Sequence, residues 1–267
     1  MQAIDFIYDG ISLSSLGYTI CEFDHSSSVR NAAADSARTF HNTSLFQGKY
    51  MPFTAVTYDD RLEMTFQIMK YDCRYPDQRT ISLEEARFLK RWLCRDAPHK
   101  LKMIHEGYDS IYFEGSFNLE EIFYGSQRAG MELTFISNRP FARHEPLLCH
   151  SELLTPSDVL HIIDTSDEIG HSYPDLTVTC LTDGDLVLRN SFDNRETAVK
   201  NCRKGECLHF EENLIFSTSL DSHAVQDDFN YQWLRLSNSF YSRTNDISSS
   251  LPCSIRLSYS PIVKAVI

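Results

Sequence analysis

The chain has 267 residues, of which 42% are hydrophobic and 23% are charged, and its net charge is −12. This composition is typical of globular proteins and excludes a largely disordered chain or a collagen-like repeat. No window approaches the roughly 18 consecutive apolar residues of a membrane helix, and the excess of acid disfavours contact with a phosphate backbone, so we expect neither membrane nor nucleic-acid binding.

The start of the chain shows no sign of an export signal. The first thirty residues lack a basic start followed by an apolar run, so we expect no signal peptide. The eight cysteines are then expected to be reduced thiols. Cys202 and Cys207 flank a predicted turn with His209 nearby, but a zinc site would need two more ligands. We therefore expect no metal ion.

A hairpin is the first predicted element after residue 24. Residues 25–37 are rich in Ser, Ala and Asn and read as an exposed loop. Residues 39–58 resemble two strands around Gln47-Gly48-Lys49, with few apolar residues near the tip. This hairpin is either a floppy insertion or a template for a neighbouring subunit, because exposed strands invite pairing.

Half-buried strands and one helix follow. Apolar and polar residues alternate over 62–68, 111–117 and 131–135, which is the pattern of antiparallel strands with one wet face. Ser82 and Glu85 form a predicted capping box. The residues that follow predict an apolar stripe along a helix, formed by Leu83, Ala86, Leu89 and Leu93 and widened by Phe88 and Trp92. We expect a helix over residues 83–95 that packs on the sheet.

The second half of the sequence predicts a β-sandwich or jelly roll. Residues 138–175 contain several prolines, so we expect a connecting segment without regular strands, with a short helical turn after Pro156. Short, evenly spaced strands then follow. We place them at residues 176–181, 185–191, 196–201, 206–211, 214–217, 231–236 and 253–259.

The sequence offers little catalytic chemistry. It contains no glycine-rich phosphate loop, no His-Glu-x-x-His and no Gly-x-Ser-x-Gly. The adjacent acid pairs 120–121, 211–212 and 227–228 would point to opposite faces of a strand, which leaves a glycosidase as a remote alternative. We expect no catalytic residues, no enzyme activity and no cofactor.

Glycan binding is the main alternative function. Many lectins are jelly rolls, and four aromatic side chains of the second half would be able to stack on sugar rings. The competing interpretation is that the same rings fill the sandwich core. They are Tyr231, Trp233, Phe240 and Tyr241.

The order of these signals resembles the distal tail proteins of siphophages. The resemblance covers nearly the whole chain and is most specific in the first 142 residues. It is carried by residues 6–13, residues 16–20, Arg91-Trp92-Leu93, Lys102-Met103-Ile104, residues 111–115, Leu133-Thr134-Phe135 and Arg139-Pro140-Phe141-Ala142.

This resemblance implies a mainly β protein with two domains. Residues 1–142 would be an antiparallel β-sandwich with one packed helix and a projecting hairpin at 39–58, and residues 143–267 a galectin-like β-sandwich. Within the hairpin, the expected subunit contacts are Thr43, Phe46, Lys49, Tyr50 and Phe53.

The resemblance also implies an architectural role. Members of this family form homohexameric hub rings at the tip of the tail. The ring would connect the tail-tube protein to a tail-associated lysin or fibre protein. Such a protein would be made in the cytoplasm of the bacterial host of a phage or prophage, and would end in the virion tail tip.

Overall fold

The structure is a computed structural model that describes residues 5–21, 29–30, 38–44, 52–58, 61–71, 80–105, 111–211, 214–218 and 223–264, with side chains described outside 29–58. It divides into two compact units. The first unit extends to Arg143 and also contains the chain from Val263, and the second runs from His144 to Ile262. None of the described helices is long and apolar enough to cross a membrane.

The first unit contains eleven described strands, one α-helix and a single 3-10 turn at Ser14–Leu16. The strands and helix are β1 (Asp5–Tyr8), β2 (Ile11–Ser12), β3 (Tyr18–Cys21), β4 (Val29–Arg30), β5 (Arg38–Ser44), β6 (Pro52–Tyr58), β7 (Glu63–Lys70), α1 (Leu83–Leu93), β8 (His99–Ile104), β9 (Ile111–Tyr124), β10 (Gln127–Ser137) and β11 (Ala142–His144).

Most of these strands form one antiparallel sheet in the order β2-β1-β8-β9-β10-β7-β3, with β4 also on β7 and β11 on β9. The predicted alternation is present, since Met64, Phe66 and Ile68 of β7 are fully buried. Phe66 lies opposite Leu133 of β10 in register. The apolar faces of these strands therefore build one core.

Helix α1 covers that core and begins as predicted. The Ser82 hydroxyl accepts from the Glu85 backbone N–H, and the Glu85 carboxylate accepts from the Ser82 N–H. The helix ends at Leu93, earlier than the predicted residue 95, because Cys94 is already extended. The stripe is also narrower than predicted, since Leu83 and Phe88 are 55% and 48% exposed.

Aromatic rings fill the centre of the first unit. Phe6, Tyr8, Phe117 and Trp92 contact one another with ring centroids 5.1–6.3 Å apart. The Trp92 indole N–H donates to the Tyr8 carbonyl at 3.2 Å, which satisfies its buried polar atom. Gly115 provides the room for this packing, because a Cβ there would meet the Ile136 carbonyl and lie 2.7 Å from the Phe135 ring.

The second unit contains the remaining strands, one of which returns to the first unit, and a short helix. They are β12 (Leu147–Leu154), β13 (Leu160–Ile163), β14 (Gly170–Ser172), β15 (Asp175–Cys180), β16 (Gly184–Asn190), β17 (Glu196–Cys202), β18 (Cys207–Glu211), β19 (Leu214–Ser217), α2 (Val225–Asp228), β20 (Leu236–Asn238), β21 (Thr244–Ser249), β22 (Cys253–Tyr259) and β23 (Ile262–Val263).

Two antiparallel sheets share the core of this unit, which confirms the predicted mainly β sandwich architecture. One sheet has the order β12-β22-β15-β18-β19 and the other β13-β21-β16-β17, while β14 and β20 pair separately. Buried side chains come from both sheets, such as Val178, Leu208 and Ile255 from the first and Leu188 and Val199 from the second.

Two local predictions for the second half were wrong. The segment 138–175 is not a connection without strands, because it forms β12, β13 and β14. After Pro156 the chain makes only a tight turn, in which the Asp158 N–H donates to the Thr155 carbonyl. Residues 231–235 form no strand, because Tyr231 has a positive φ of 56° and the Asn230 side chain accepts from the Gln232 N–H. A strand resumes only at Leu236.

Candidate assembly surfaces

Strands β5 and β6 form a two-stranded antiparallel sheet of their own. The pairing runs from Arg38 opposite Tyr58 to Ser44 opposite Pro52. Among the described strands, neither pairs with any other. Within that part of the chain, each strand therefore has an outer edge whose backbone N–H and C=O groups lack a strand partner, and an isolated two-stranded sheet is marginally stable in water. The backbone alone favours a partner along this hairpin.

The structure places two of the five predicted contact residues on these strands. Thr43 of β5 lies directly opposite Phe53 of β6. Phe46, Lys49 and Tyr50 lie outside the described residues. The assignment of these five residues to a subunit contact remains a prediction.

A second exposed hairpin tip joins β9 to β10, and the sequence analysis missed it. Phe123 and Tyr124 are 54% and 84% exposed there. Arg128 braces the tip, because its guanidinium contacts the Glu121 carboxylate at 3.0 Å and lies 5.4 Å from the Phe123 ring. The available signal was Gly125-Ser126, a two-residue turn between alternating segments. The predicted strands 111–117 and 131–135 stopped short of it.

The four aromatic residues considered for sugar stacking do not form one platform. Trp233 packs against the core beside Phe229, with ring centroids 5.1 Å apart. Phe240 and Tyr241 are instead 82% and 94% exposed. They sit on a separate tight turn between β20 and β21. Because Trp233 packs on the core while Phe240 and Tyr241 lie on a separate turn, this arrangement does not favour the glycan-binding alternative.

The acid pairs considered for glycosidase chemistry are partly used elsewhere. Glu121 pairs with Arg128, and Asp228 pairs with His223 at 3.0 Å. A glycosidase needs two carboxyl groups on either side of the scissile bond. Glu121 and Asp228 act here as counter-charges in ion pairs, so these two contacts give no support to a sugar-cleaving site.

One Ser–His–Asp contact in the second unit resembles a hydrolase site only in composition. The fully buried Ser237 hydroxyl lies 2.9 Å from His171 Nδ1 and donates to Asp193 at 3.5 Å. In a catalytic triad the imidazole lies between the hydroxyl and the acid. Here the hydroxyl lies between them, and Asp193 is held by Arg235 at 2.6 Å. The arrangement is a structural network.

The cysteines considered for zinc are separated by the fold. Cys202 is buried at the end of β17 in the four-stranded sheet, whereas Cys207 begins β18 in the five-stranded sheet. His209 contacts Cys207. Across the residues that the structure describes, no three His, Cys, Asp or Glu side chains are grouped so as to hold a metal ion.

His223 lies between two carboxylates in the second unit. Its Nδ1 lies 2.6 Å from the buried Glu206 carboxylate and its Nε2 lies 3.0 Å from Asp228. Burial lowers the pKa of His223, but the two hydrogen bonds and the charge of Glu206 outweigh it, so the pKa lies above the usual imidazole value. This imidazole neutralises a buried acid and is not exposed for binding.

Two protein-family models match consecutive parts of the chain. Residues 1–139 match a model described as a phage tail protein N-terminal domain, and residues 141–259 match one described as a phage tail C-terminal domain. Together they cover nearly the whole sequence. No curated protein matches the chain.

Solved structures with a similar fold also come from phages. The Dit protein of phage SPP1, described as a paradigm of the hub adsorption apparatus in phages that infect Gram-positive bacteria, is 12% identical with a TM-score of 0.66, and the match covers 97% of this chain and 99% of that one. A chain of the phage P2 baseplate, activated with Ca, is 9% identical with a TM-score of 0.46, and the match covers 100% of both chains.

Proposed function

Because this chain belongs to the phage tail protein family that its N- and C-terminal domain models describe, we propose that it is a hub subunit of the tail tip. The family models confirm a phage tail protein, and the fold is similar to that of the SPP1 Dit protein, as the resemblance to siphophage distal tail proteins implies. The further step is that six copies close into a ring. That ring would join the tail tube on one side to the tail-associated lysin or fibre protein on the other.

The observation that carries this proposal is the self-contained β5–β6 sheet. A ring with head-to-tail contacts closes only when each subunit presents two different complementary surfaces. A hairpin whose outer edges pair with no other described strand supplies one of them, because main-chain pairing gives affinity without special side chains. A face of the sandwich in the next copy would supply the other. We propose that the first unit, residues 1–143 with the chain from Val263, forms the ring and that residues 144–262 form the outer domain.

The role is architectural rather than enzymatic in this proposal. The Ser237, His171 and Asp193 side chains are arranged as a structural network, and Glu121 and Asp228 serve as counter-charges. A subunit that acts through backbone pairing and shape needs no activated nucleophile or cofactor. Synthesis and assembly in the host cytoplasm fit the expectation of reduced cysteines.

The test is the oligomeric state of the purified full chain with and without the hairpin. We expect light scattering to give the mass of a hexamer and negative-stain electron microscopy to show a six-fold annulus. Deletion of residues 41–56 should yield a folded monomer, because the surface that reaches the neighbour is removed while both cores are retained. Emission from Trp92 and Trp233, one in each unit, checks that the variant folds.

A matched control alters another exposed turn. Replacement of Phe240 and Tyr241 by Ser changes a turn of the second unit and should leave the ring intact. A hexamer that forms equally well without residues 41–56 would show that the hairpin is not the contact. A full-length chain that stays monomeric at every concentration, or that forms rings of another symmetry, would contradict the hexamer.

A further inference from the structure

A thiol, an imidazole and a carboxylate lie on one face of strand β18. Side chains alternate between the two faces of a strand, and Leu208 and Phe210 of β18 are buried in the core. Cys207, His209 and Glu211 therefore point to the opposite face of the five-stranded sheet. The same alternation places Thr177 of β15 and Phe216 of β19 beside His209, as their register confirms.

The distances link these side chains in a chain of contacts. The Cys207 sulfur lies 3.4 Å from His209 Nε2. On the other side of the ring, His209 Nδ1 lies 3.5 Å from a Glu211 carboxylate oxygen and 3.4 Å from the Thr177 hydroxyl. Two groups that accept hydrogen bonds beside Nδ1 favour the tautomer with its proton on that nitrogen. Nε2 is then the nitrogen without a proton, and it faces the Cys207 thiol as an acceptor.

The imidazole is also fixed in place. The Phe216 ring stacks on it with a centroid distance of 4.9 Å and an interplanar angle of 9°. The Thr218 hydroxyl lies 3.3 Å from the same Nε2 that faces the thiol, so it borders the contact. An imidazole held between a stacked ring and an acid loses little freedom when it takes up a proton, which is the arrangement that activates a thiol.

The other half-buried thiols among the described residues provide the comparison. Cys21, Cys94 and Cys149 are free and half-buried, and burial raises the pKa of each, that of Cys21 to about 11. Their described surroundings include no imidazole within hydrogen-bonding distance. Cys180, Cys202 and Cys253 are buried. Cys207 combines partial exposure with a base.

We propose that Cys207 is an activated surface thiol that His209 prepares for exchange with small disulfides. In this reaction the Cys207 S–H proton passes to His209 Nε2. The thiolate attacks one sulfur of a disulfide such as oxidised glutathione, a Cys207–glutathione S–S bond forms and the old S–S bond breaks. The leaving glutathione thiolate takes the proton back from the imidazolium. The site would thus be modified once per chain, independently of the proposed ring.

The test follows each cysteine of the folded full chain as it reacts with oxidised glutathione, by peptide mass spectrometry. We expect Cys207 to react roughly tenfold faster than Cys94 and Cys149 near pH 7, as thiolate availability governs the rate. His209→Asn should remove this advantage and make the rate rise with pH like that of an ordinary thiol. Glu211→Gln, which keeps the imidazole but removes the acid, should give an intermediate rate.

His161→Asn is the matched control, because His161 also pairs with an acid, Asp246, at 2.7 Å but lies on the other sheet without a neighbouring thiol. Its Cys207 rate should equal that of the unaltered chain. Equal rates at Cys207, Cys94 and Cys149 in the unaltered chain would overturn the proposal, as would a rate at Cys207 that His209→Asn leaves unchanged. If His209→Asn does not fold, Glu211→Gln still decides, because that variant keeps the imidazole and a Cys207 rate equal to that of the unaltered chain would overturn the proposal.

Discussion

Glu206 is fully buried and depends on His223 for its counter-charge. The Arg203 backbone N–H donates to its second oxygen at 3.0 Å. Asp228 faces the other nitrogen of His223, and hydrogen bonds from Asn201 and then His223 lower its pKa. The cluster therefore stabilises a protonated imidazole between two acids. This ties the stability of the second unit to pH.

We predict that the free energy of unfolding of the second unit decreases as pH rises above about 6.5 and through the raised pKa of His223. The pKa of His223 is raised in the folded state, so its contribution is complete below the ordinary imidazole value of about 6.5 and is lost as pH rises through the folded value. His223→Gln should remove this dependence and destabilise the unit by roughly 3 kcal/mol, because the buried Glu206 carboxylate is left without its counter-charge.

Denaturation in urea at several pH values measures this, read from Trp233 in a Trp92→Phe background. The double variant Glu206→Gln, His223→Gln should recover part of the loss, since it removes the buried charge as well. A slope with pH that persists in His223→Gln would assign the dependence to another group.

Gly115 shows how a single Cβ would disturb the first core. The added atom would lie 2.8 Å from the Ser137 Cα and against the Ile136 carbonyl, so β9 and β10 would have to move apart. We predict that Gly115→Ala lowers the free energy of unfolding by about 1–3 kcal/mol through overpacking. Glu120→Ala, at an exposed position of the same strand, is the control for thermal unfolding and should change little. Equal melting temperatures for the two variants would contradict this explanation.

At the scale of single elements, local signals worked where a residue type has one physical role. The Ser82 and Glu85 pair marked the start of α1, because each side chain satisfies a free backbone donor. The apolar stripe of α1 predicted burial less well for the residues at its edge. Phe88 has the spacing of a core residue but lies outside it, since burial depends on how far the sheet extends beneath the helix.

The capping box gives an element-scale prediction. Ser82→Ala removes the acceptor of the Glu85 N–H and should destabilise the first unit by about 1 kcal/mol. Glu85 also pairs with Lys70 of β7 at 2.6 Å, so the loosened first turn would weaken a second contact. Thermal unfolding monitored through Trp92, in a Trp233→Phe background, measures the effect. Ser126→Ala in an exposed turn is the control, and a melting temperature as low in that variant would exclude capping as the cause.

Strand predictions failed where the fold overrode the pattern. The prolines of residues 138–175 suggested a connecting segment without strands. Pro146 and Pro156 instead flank β12, so the backbone N–H groups inside this strand remain available for pairing. The predicted strand 231–236 is broken at Tyr231, whose left-handed backbone is set by contacts of its neighbour Asn230 with β17. Such long-range hydrogen bonds are invisible in a local window.

At the scale of the whole molecule, the sequence allowed the β class and the family to be recognised. Alternation reports which face of a strand is buried, and it therefore predicts sheets and sandwiches well. It does not report which side chains meet across strands. The contacts of His209 with Thr177 and Phe216 depend on a register set by the entire sheet, although Cys207, His209 and Glu211 were visible as alternate residues of one predicted strand.

The chain returns to the first unit at Val263, and this limits where the polypeptide can be truncated. Val263 packs against the first core, and β23 pairs with β11. In covalent terms the second unit is an insertion into the first, so a polypeptide truncated at Arg143 would lack a piece of its own scaffold. A short peptide that joins Arg143 to Val263 would restore that segment. The second unit could then be replaced by another domain while the first unit is kept intact.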